Sequence, residues 1–294
     1  MPEPPKDDAA RAPCGSGGPR PAVSDRPDDL IGRFEKRSFP AVRLWSDDVC
    51  EVGLRKHHVK ALLELDVTRA RRAIHAYRDR TGRKLSFTAW FVKCAARAVT
   101  EHPLVHAVRA GRAGLVIFDD VDFTVLVEQL VGGERVPLPM VIRRADKKSL
   151  DDVHEEIRAA QERRLAAGDV SLDRPRSRVL QALAFLAPAF LRRAFWVRVT
   201  RSPSLTKKLM GTVAVTSVGM YGRSSFWPMP ISIFPLCFAL GTVVRKPGVV
   251  EGRIEPREYL CLTVLIDHDV IDGAPAARFV ARLSELIESG WGLA

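Results

Sequence analysis

Short apolar runs bounded by turn residues divide the chain, from about residue 59 onward, into strands and helices. Runs that are continuously apolar or alternate with polar residues predict strands, and they lie at Lys60–Val67, Leu115–Phe118, Phe123–Leu130, Val136–Ile142, Met210–Val218, Cys237–Val244 and Tyr259–Ile266. Helical periodicity predicts a basic helix ending at Arg80 and helices over Phe87–Glu101, Ser149–Leu165 and Gly273–Ile287, with Ser86 as an N-cap. Because helices and strands alternate irregularly, the pattern favours a mixed sheet covered by helices.

The composition is that of an ordinary globular chain preceded by a polar tail. The 294 residues are 46% hydrophobic and 28% charged, which is ample for a large core. Residues 1–35 are rich in Pro, Gly, Asp and Arg and predict a disordered tail. No apolar run reaches the roughly 18 uncharged residues of a membrane span, and the first residues lack the order of a secretion signal.

The cysteines and the charge distribution bear on compartment and partners. Five dispersed cysteines without a Cys-x-x-Cys pair predict free thiols in the cytoplasm and no metal site. Most of the net charge of +11 lies between Asp173 and Glu251, where twelve Lys and Arg occur without an acidic residue. No DNA-binding motif accompanies this block, so we expect no nucleic-acid partner. A solvated basic face, a phosphate-bearing ligand and an anionic membrane surface remain open.

The most informative motif is Asp267-His268-Asp269-Val270-Ile271-Asp272-Gly273, a tight turn between an apolar strand and a helix. Such a turn holds an imidazole by its backbone, as a general base must be held. The motif resembles the Asp-His-x-x-x-Asp-Gly signature of CoA-dependent acyltransferases, a group that includes chloramphenicol acetyltransferase and the catalytic domains of dihydrolipoyl acyltransferases. Further resemblances follow in the family's order and cover roughly residues 40–290: Phe91–Val99, Val136–Leu150 and Gly211–Gly222.

The resemblance implies a fold and a reaction. Residues 36–294 are expected to form a chloramphenicol acetyltransferase-like two-layer sandwich, a mixed sheet with helices packed on it, which assembles as a trimer or a larger oligomer built from trimers. The expected reaction moves an acyl group between CoA, as substrate, and a thiol or other small acceptor. His268 is the expected general base, and the Thr216 hydroxyl is the expected donor to the oxyanion. Ser217 is the weaker choice because strand alternation turns it to the other face.

Other residues are expected to support the site. By resemblance, Asp272 forms a buried ion pair with an arginine, for which Arg43 aligns best, with Arg37 and Arg55 as alternatives. Asp267 belongs to the same motif, and His58 either lines the thiol channel or lies on the surface. One departure is Asp269, which stands where the complex-bound enzymes carry arginine.

A segment at about 170–209 is longer than in those enzymes. Within it, residues 179–199 are largely apolar, with Pro188 and three arginines among them. Two short buried helices are one interpretation, and an amphipathic hairpin on a membrane surface or over the acyl tunnel is the other.

The partners follow from the same resemblance. There is no room upstream for the lipoyl and subunit-binding domains of the complex-bound enzymes, so we expect no covalent lipoyl group on this chain and allow for a separate lipoyl carrier beside acyl-CoA. The alternatives are a catalytically degraded trimeric scaffold and a membrane-peripheral acyltransferase acting on a lipophilic acceptor.

Overall fold

The computed structural model describes residues 34, 36, 41–131, 134–162, 164–165, 187–219 and 224–293. Contacts separate Met1–Pro40 from Ala41–Ala294, and the fold below is that of the second unit. The tail predicted for residues 1–35 lies outside the described residues, apart from Phe34.

Seven helices and nine strands make up the described part of this unit. The helices are α1 (Ala41–Gly53), α2 (Thr68–Thr81), α3 (Phe87–Glu101), α4 (Leu150–Glu162), α5 (Ala189–Arg201), α6 (Pro203–Met210) and α7 (Gly273–Glu288), with a short 3-10 helix at Pro103–His106. The strands are β1 (His58–Asp66), β2 (Val108–Ala110), β3 (Gly114–Val116), β4 (Phe123–Val131), β5 (Glu134–Ile142), β6 (Arg164–Leu165), β7 (Val213–Ser217), β8 (Leu236–Val250) and β9 (Arg253–Asp267).

The main sheet is mixed, as predicted. Its strand order is β1-β9-β8-β7-β4-β5, and β6 pairs with β4. β7 runs parallel to both of its neighbours, β8 and β4, whereas the β1–β9, β8–β9 and β4–β5 pairs are antiparallel. β2 and β3 form a separate hairpin. Strand β1 is therefore an edge strand, and β9 lies directly beside it.

One face of the sheet is covered by helices, and the core lies between the two layers. Phe238 of β8 contacts Phe91 of α3 with ring centroids 5.3 Å apart, and Phe279 of α7 packs on the same side. Alternate residues of β7 and β9, such as Val215 and Leu262, are fully buried in this cluster. The predicted cap of α3 is confirmed, because the Ser86 side chain accepts a hydrogen bond from the Ala89 amide at 3.3 Å.

A second, smaller apolar cluster joins α1 to α5. Trp45 and Trp196 meet edge to face with centroids 5.8 Å apart. Between the same helices, the Arg192 Nε donates to the buried Asp48 carboxylate at 2.6 Å. Pro188 is the N-cap residue of α5 and does not kink a helix. Of the two buried helices expected across residues 179–199, one is described, and it is not buried, because only Trp196 and Val199 face inward. Residues 179–186 lie outside the described part of the chain.

Candidate active site

The histidine turn is fixed by backbone hydrogen bonds from both sides. β9 ends at Asp267, whose amide donates to the Pro235 carbonyl at 2.9 Å. The His268 amide donates to the His57 carbonyl at 3.0 Å, and the Val270 amide closes the turn on the Asp267 carbonyl at 3.2 Å. The backbone of His268 is therefore tied to the neighbouring strand β1, as a rigidly held base requires.

A buried ion pair braces the same turn. The Asp267 side chain is 1% exposed, and its carboxylate lies 2.6 Å from the Lys56 ammonium. Its other oxygen accepts a hydrogen bond from the Asp269 amide at 3.2 Å. A carboxylate this far from water needs such partners, because burying it alone is very costly.

A second, exposed pair lies beside the first. The His57 Nδ1 and the Asp269 carboxylate are 2.9 Å apart. The hydrogen bond to Asp269 raises the pKa of His57, and the same bond lowers the pKa of Asp269. Asp269, at the position where the resemblance places an arginine, therefore has a local partner in the residue before β1.

The His268 side chain itself is exposed and borders an apolar groove. The groove has a volume of about 390 Å³ and runs between β1, the end of β9 and α7. Val59 and Ala61 line one side, and Ala276 and Val280 line the other. The imidazole makes no hydrogen bond to the described residues. Its nitrogens remain available to a substrate thiol in the groove.

Thr216 lies on the opposite face of the sheet. Val213 and Val215 of β7 are fully buried under the helices, so alternation turns Thr216 away from them and turns Ser217 towards them. Thr216 is half-buried, and its hydroxyl has no hydrogen-bond partner within the described residues. It is therefore able to donate to an oxyanion supplied from outside the chain.

Within one chain, Thr216 and His268 do not meet. Thr216 pairs with Ala239 on β8, and Ala239 pairs with Thr263 on β9. His268 follows Thr263 by five residues. Two strand spacings and five residues of strand put the two Cα atoms roughly 19 Å apart. Since the side chains also lie on opposite faces, one chain does not assemble both groups around one acyl carbon.

The predicted pair of Asp272 and Arg43 is not formed. Asp272 is the exposed N-cap residue of α7 and makes no side-chain capping bond. Arg43 is exposed on α1, and neither residue has an ion pair within the described part of the chain. A buried pair of Asp272 with Arg43 or with the alternative Arg55 is therefore not formed in the described part of the chain, and the other alternative, Arg37, lies outside it. The buried ion pair beside the turn joins Asp267 to Lys56 instead. The antiparallel register of β1 and β9, which sets His58 opposite Asp267, brings Lys56 to this carboxylate.

His58 lies close to the turn but outside the groove. Its Nε2 donates to the Phe234 carbonyl at 2.8 Å, and burial lowers its pKa. That bond fixes a neutral tautomer and ties β1 to the segment before β8. The structure thus gives His58 a bracing role and does not place it among the residues lining the groove.

A family of known proteins matches most of this chain. The family described as "2-oxoacid dehydrogenases acyltransferase (catalytic domain)" matches residues 55–171 and 200–294. The lipoamide acyltransferase component of the branched-chain alpha-keto acid dehydrogenase complex of Bacillus subtilis is 24% identical over 93% of this chain and 59% of its own length. The chain spans about half the length of the curated relatives it matches.

Solved structures show the same fold. A probable dihydrolipoamide acetyltransferase of Listeria monocytogenes has a TM-score of 0.64 at 20% identity, over 90% of this chain and 97% of that one. The dihydrolipoamide acetyltransferase of Azotobacter vinelandii has a TM-score of 0.62 at 22% identity, over 91% and 97%. Its crystallographic and enzymatic study concerned the role of one serine, one histidine and one asparagine in the catalytic mechanism.

Proposed function

The chain belongs to the family of 2-oxoacid dehydrogenase acyltransferase catalytic domains, and from this membership we propose that it moves an acyl group between coenzyme A and a dihydrolipoyl-type thiol. CoA enters as a substrate, and the thiol is carried by a separate molecule. The relatives that carry the proposal are a lipoamide acyltransferase and dihydrolipoamide acetyltransferases.

His268 is the proposed general base and Thr216 the proposed oxyanion donor. The histidine of the Azotobacter protein follows its serine by 52 residues and precedes its asparagine by 4, and Thr216, His268 and Asp272 have the same spacings. A neutral imidazole takes the proton of the attacking thiol, and the thiolate adds to the thioester carbonyl. The tetrahedral intermediate then breaks its bond to the sulfur of the donor, and the departing thiolate takes the proton back from the imidazolium. The Thr216 hydroxyl donates to the oxygen that becomes negative, a contribution of about 3 kcal/mol.

Because these two groups are far apart within one chain, we propose that the active form is a homotrimer or a larger assembly of trimers. Each chain presents His268 at one end of the sheet and Thr216 on the other face, roughly 19 Å away. A complete site therefore needs the histidine of one copy beside the hydroxyl of the next. A solved neighbour from the same family forms the cubic core of a multienzyme complex, which supports assembly from repeated copies.

The groove beside His268 is the proposed channel for the substrate arm. Its apolar walls and its volume of about 390 Å³ suit an extended, uncharged chain that ends in a thiol or thioester.

The cytoplasm is the proposed compartment, since Cys50, Cys94, Cys237 and Cys261 are all free thiols.

The test is acyl transfer from acetyl-CoA or succinyl-CoA to dihydrolipoamide, followed as formation of the acyl thioester. We expect His268→Ala to lower turnover by about a hundredfold, the usual contribution of a general base. His75→Ala is the matched control, because His75 is an exposed histidine on α2, and it should keep full turnover. Undiminished turnover in His268→Ala would refute the mechanism, and absence of transfer from both donors by the unmodified chain would favour a scaffold.

A further inference from the structure

One surface of the molecule is built from segments that the family match leaves out. The match covers residues 55–171 and 200–294. Helix α1 ends before it, and α5 lies almost entirely in its internal gap. The two helices pack on each other through the Asp48–Arg192 pair and the Trp45–Trp196 contact. Most of α5 lies in the gap of the family match, so its outer surface calls for a separate explanation.

The outer side of α5 is apolar at its beginning. Phe190 is 68% exposed, Leu191 52% and Phe195 40%. The inner side of the same helix is apolar as well, since Trp196 and Val199 are buried. A helix that packs on a globular core normally turns polar side chains outward, and adjoining exposed aromatic and aliphatic side chains mark an interaction surface.

A basic groove adjoins this apolar patch. The groove lies between α1 and α5, has a volume of about 690 Å³, and is lined by Arg55, Arg193, Arg198 and Arg201, with Glu51. Arg193 is paired with Asp48. The other three arginines have no ion pair with a carboxylate in the part of the chain that the structure describes. The groove therefore carries an excess of guanidinium groups over its one lining carboxylate, Glu51, beside exposed aromatic side chains.

We propose that α5 and this groove dock on an anionic membrane surface. Phe190, Leu191 and Phe195 enter the headgroup layer, while Arg55, Arg198 and Arg201 bind lipid phosphates. Exposed apolar groups combined with excess guanidinium charge fit an interface that is apolar below and negative above. No helix among the described residues is long and apolar enough to span a membrane. This surface is independent of the proposed acyl transfer.

The test is flotation of the full-length chain with vesicles of phosphatidylcholine alone and of phosphatidylcholine mixed with phosphatidylglycerol. We expect binding only to the mixed vesicles. Arg198→Gln with Arg201→Gln should weaken it by about thirtyfold, at roughly fivefold per basic residue, while lysine at both positions should retain it. Phe190→Ser with Leu191→Ser should also release the protein from the mixed vesicles.

A matched control lies at the far end of the β8–β9 hairpin. Arg253→Gln with Ile254→Ser removes one exposed charge and one side chain that is 78% exposed, and it should leave vesicle binding unchanged. Equal binding to both kinds of vesicle, or equal losses in the control, would overturn the proposal. It would also be overturned if the α5 variants changed the oligomeric mass in solution, because the face would then be a contact between copies. Acyl transfer to soluble dihydrolipoamide should stay unchanged in every variant.

Discussion

Mixing two inactive variants tests whether the active site is shared between copies of the chain. His268→Ala removes the base and Thr216→Ala removes the oxyanion donor, and each variant alone should have little activity. The variants would be mixed in equal amounts, under mild denaturant that allows subunits to exchange, and then returned to buffer. Acyl transfer to dihydrolipoamide would be measured before and after exchange.

The expected recovery follows from the geometry. If each site joins the His268 of one subunit to the Thr216 of its neighbour, a site is intact only when the first subunit is Thr216→Ala and the second is His268→Ala. Each condition holds at half of the positions in a random mixture, so about a quarter of the sites should be intact in any cyclic assembly. Activity should therefore rise to about a quarter of that of the unmodified protein.

A site within one chain would give a different result. Every subunit in the mixture lacks one of the two groups, so exchange could not restore a complete site. Recovery of no activity, with mixed assemblies demonstrated by mass, would refute the shared site and the register argument behind it. A mixture kept without exchange is the control, and it should remain inactive.

Three further outcomes are expected. Thr216→Ala should lower turnover by about a hundredfold or more while Thr216→Ser should retain most of it, because only alanine removes the hydroxyl donor; equal losses would mean that Thr216 only packs. Lys56→Met should reduce the free energy of unfolding in urea by about 3 kcal/mol because it strands the buried Asp267 carboxylate, and adding Asp267→Asn should recover part of that loss; strictly additive effects would contradict the pairing. Burial lowers the pKa of His106 to about 4, so the neutral form is favoured in the fold and the free energy of unfolding should fall by about 1.4 kcal/mol per unit as the pH drops from about 6.5 to 4. His106→Asn should remove this part of the slope in urea titrations at several pH values, whereas His102→Asn, which changes a half-buried histidine, should keep it.

The sequence predicted those parts of the fold that depend on patterns among neighbouring residues. The alternating apolar residues of β4, the helical periodicity of α3 and the Ser86 cap all appear in the structure close to their predicted bounds. Each depends on residues within a few positions of one another, and such signals can be read along the chain.

Other features depend on what packs against a segment. Helix α1 was not predicted, although Trp45, Val49 and Val52 recur along it at helical spacing; its packing on the distant α5 was not evident from sequence. The strand predicted from Met210 begins only at Val213, since Met210 ends α6 and Gly211 takes a positive φ of 70°. The β8–β9 hairpin extends beyond its predicted ends to Val250 and Arg253, where polar residues continue the ladder without an apolar pattern.

In the candidate site, too, local motifs were found from sequence and contacts between distant segments were missed. His268 and Thr216 were identified from short motifs, and the structure places both with side chains open to a substrate. The ion pair that braces the turn was assigned to Asp272, because the resemblance supplied an aspartate but not its surroundings. Lys56 was missed since its meeting with Asp267 depends on the pairing of β1 with β9, about two hundred residues apart in sequence.

The proposed division of the site between copies rests on strand parity and register. Val215 and Thr216 are neighbours in sequence, yet one lies under the helices and the other on the opposite face. His268 follows β9 on the helix-covered side, beside α7. A motif search finds both residues without showing that a folded sheet lies between them. Because the sheet keeps the proposed base and the proposed donor apart in each chain, any substitution that weakens contacts between copies should lower turnover even when it touches neither residue.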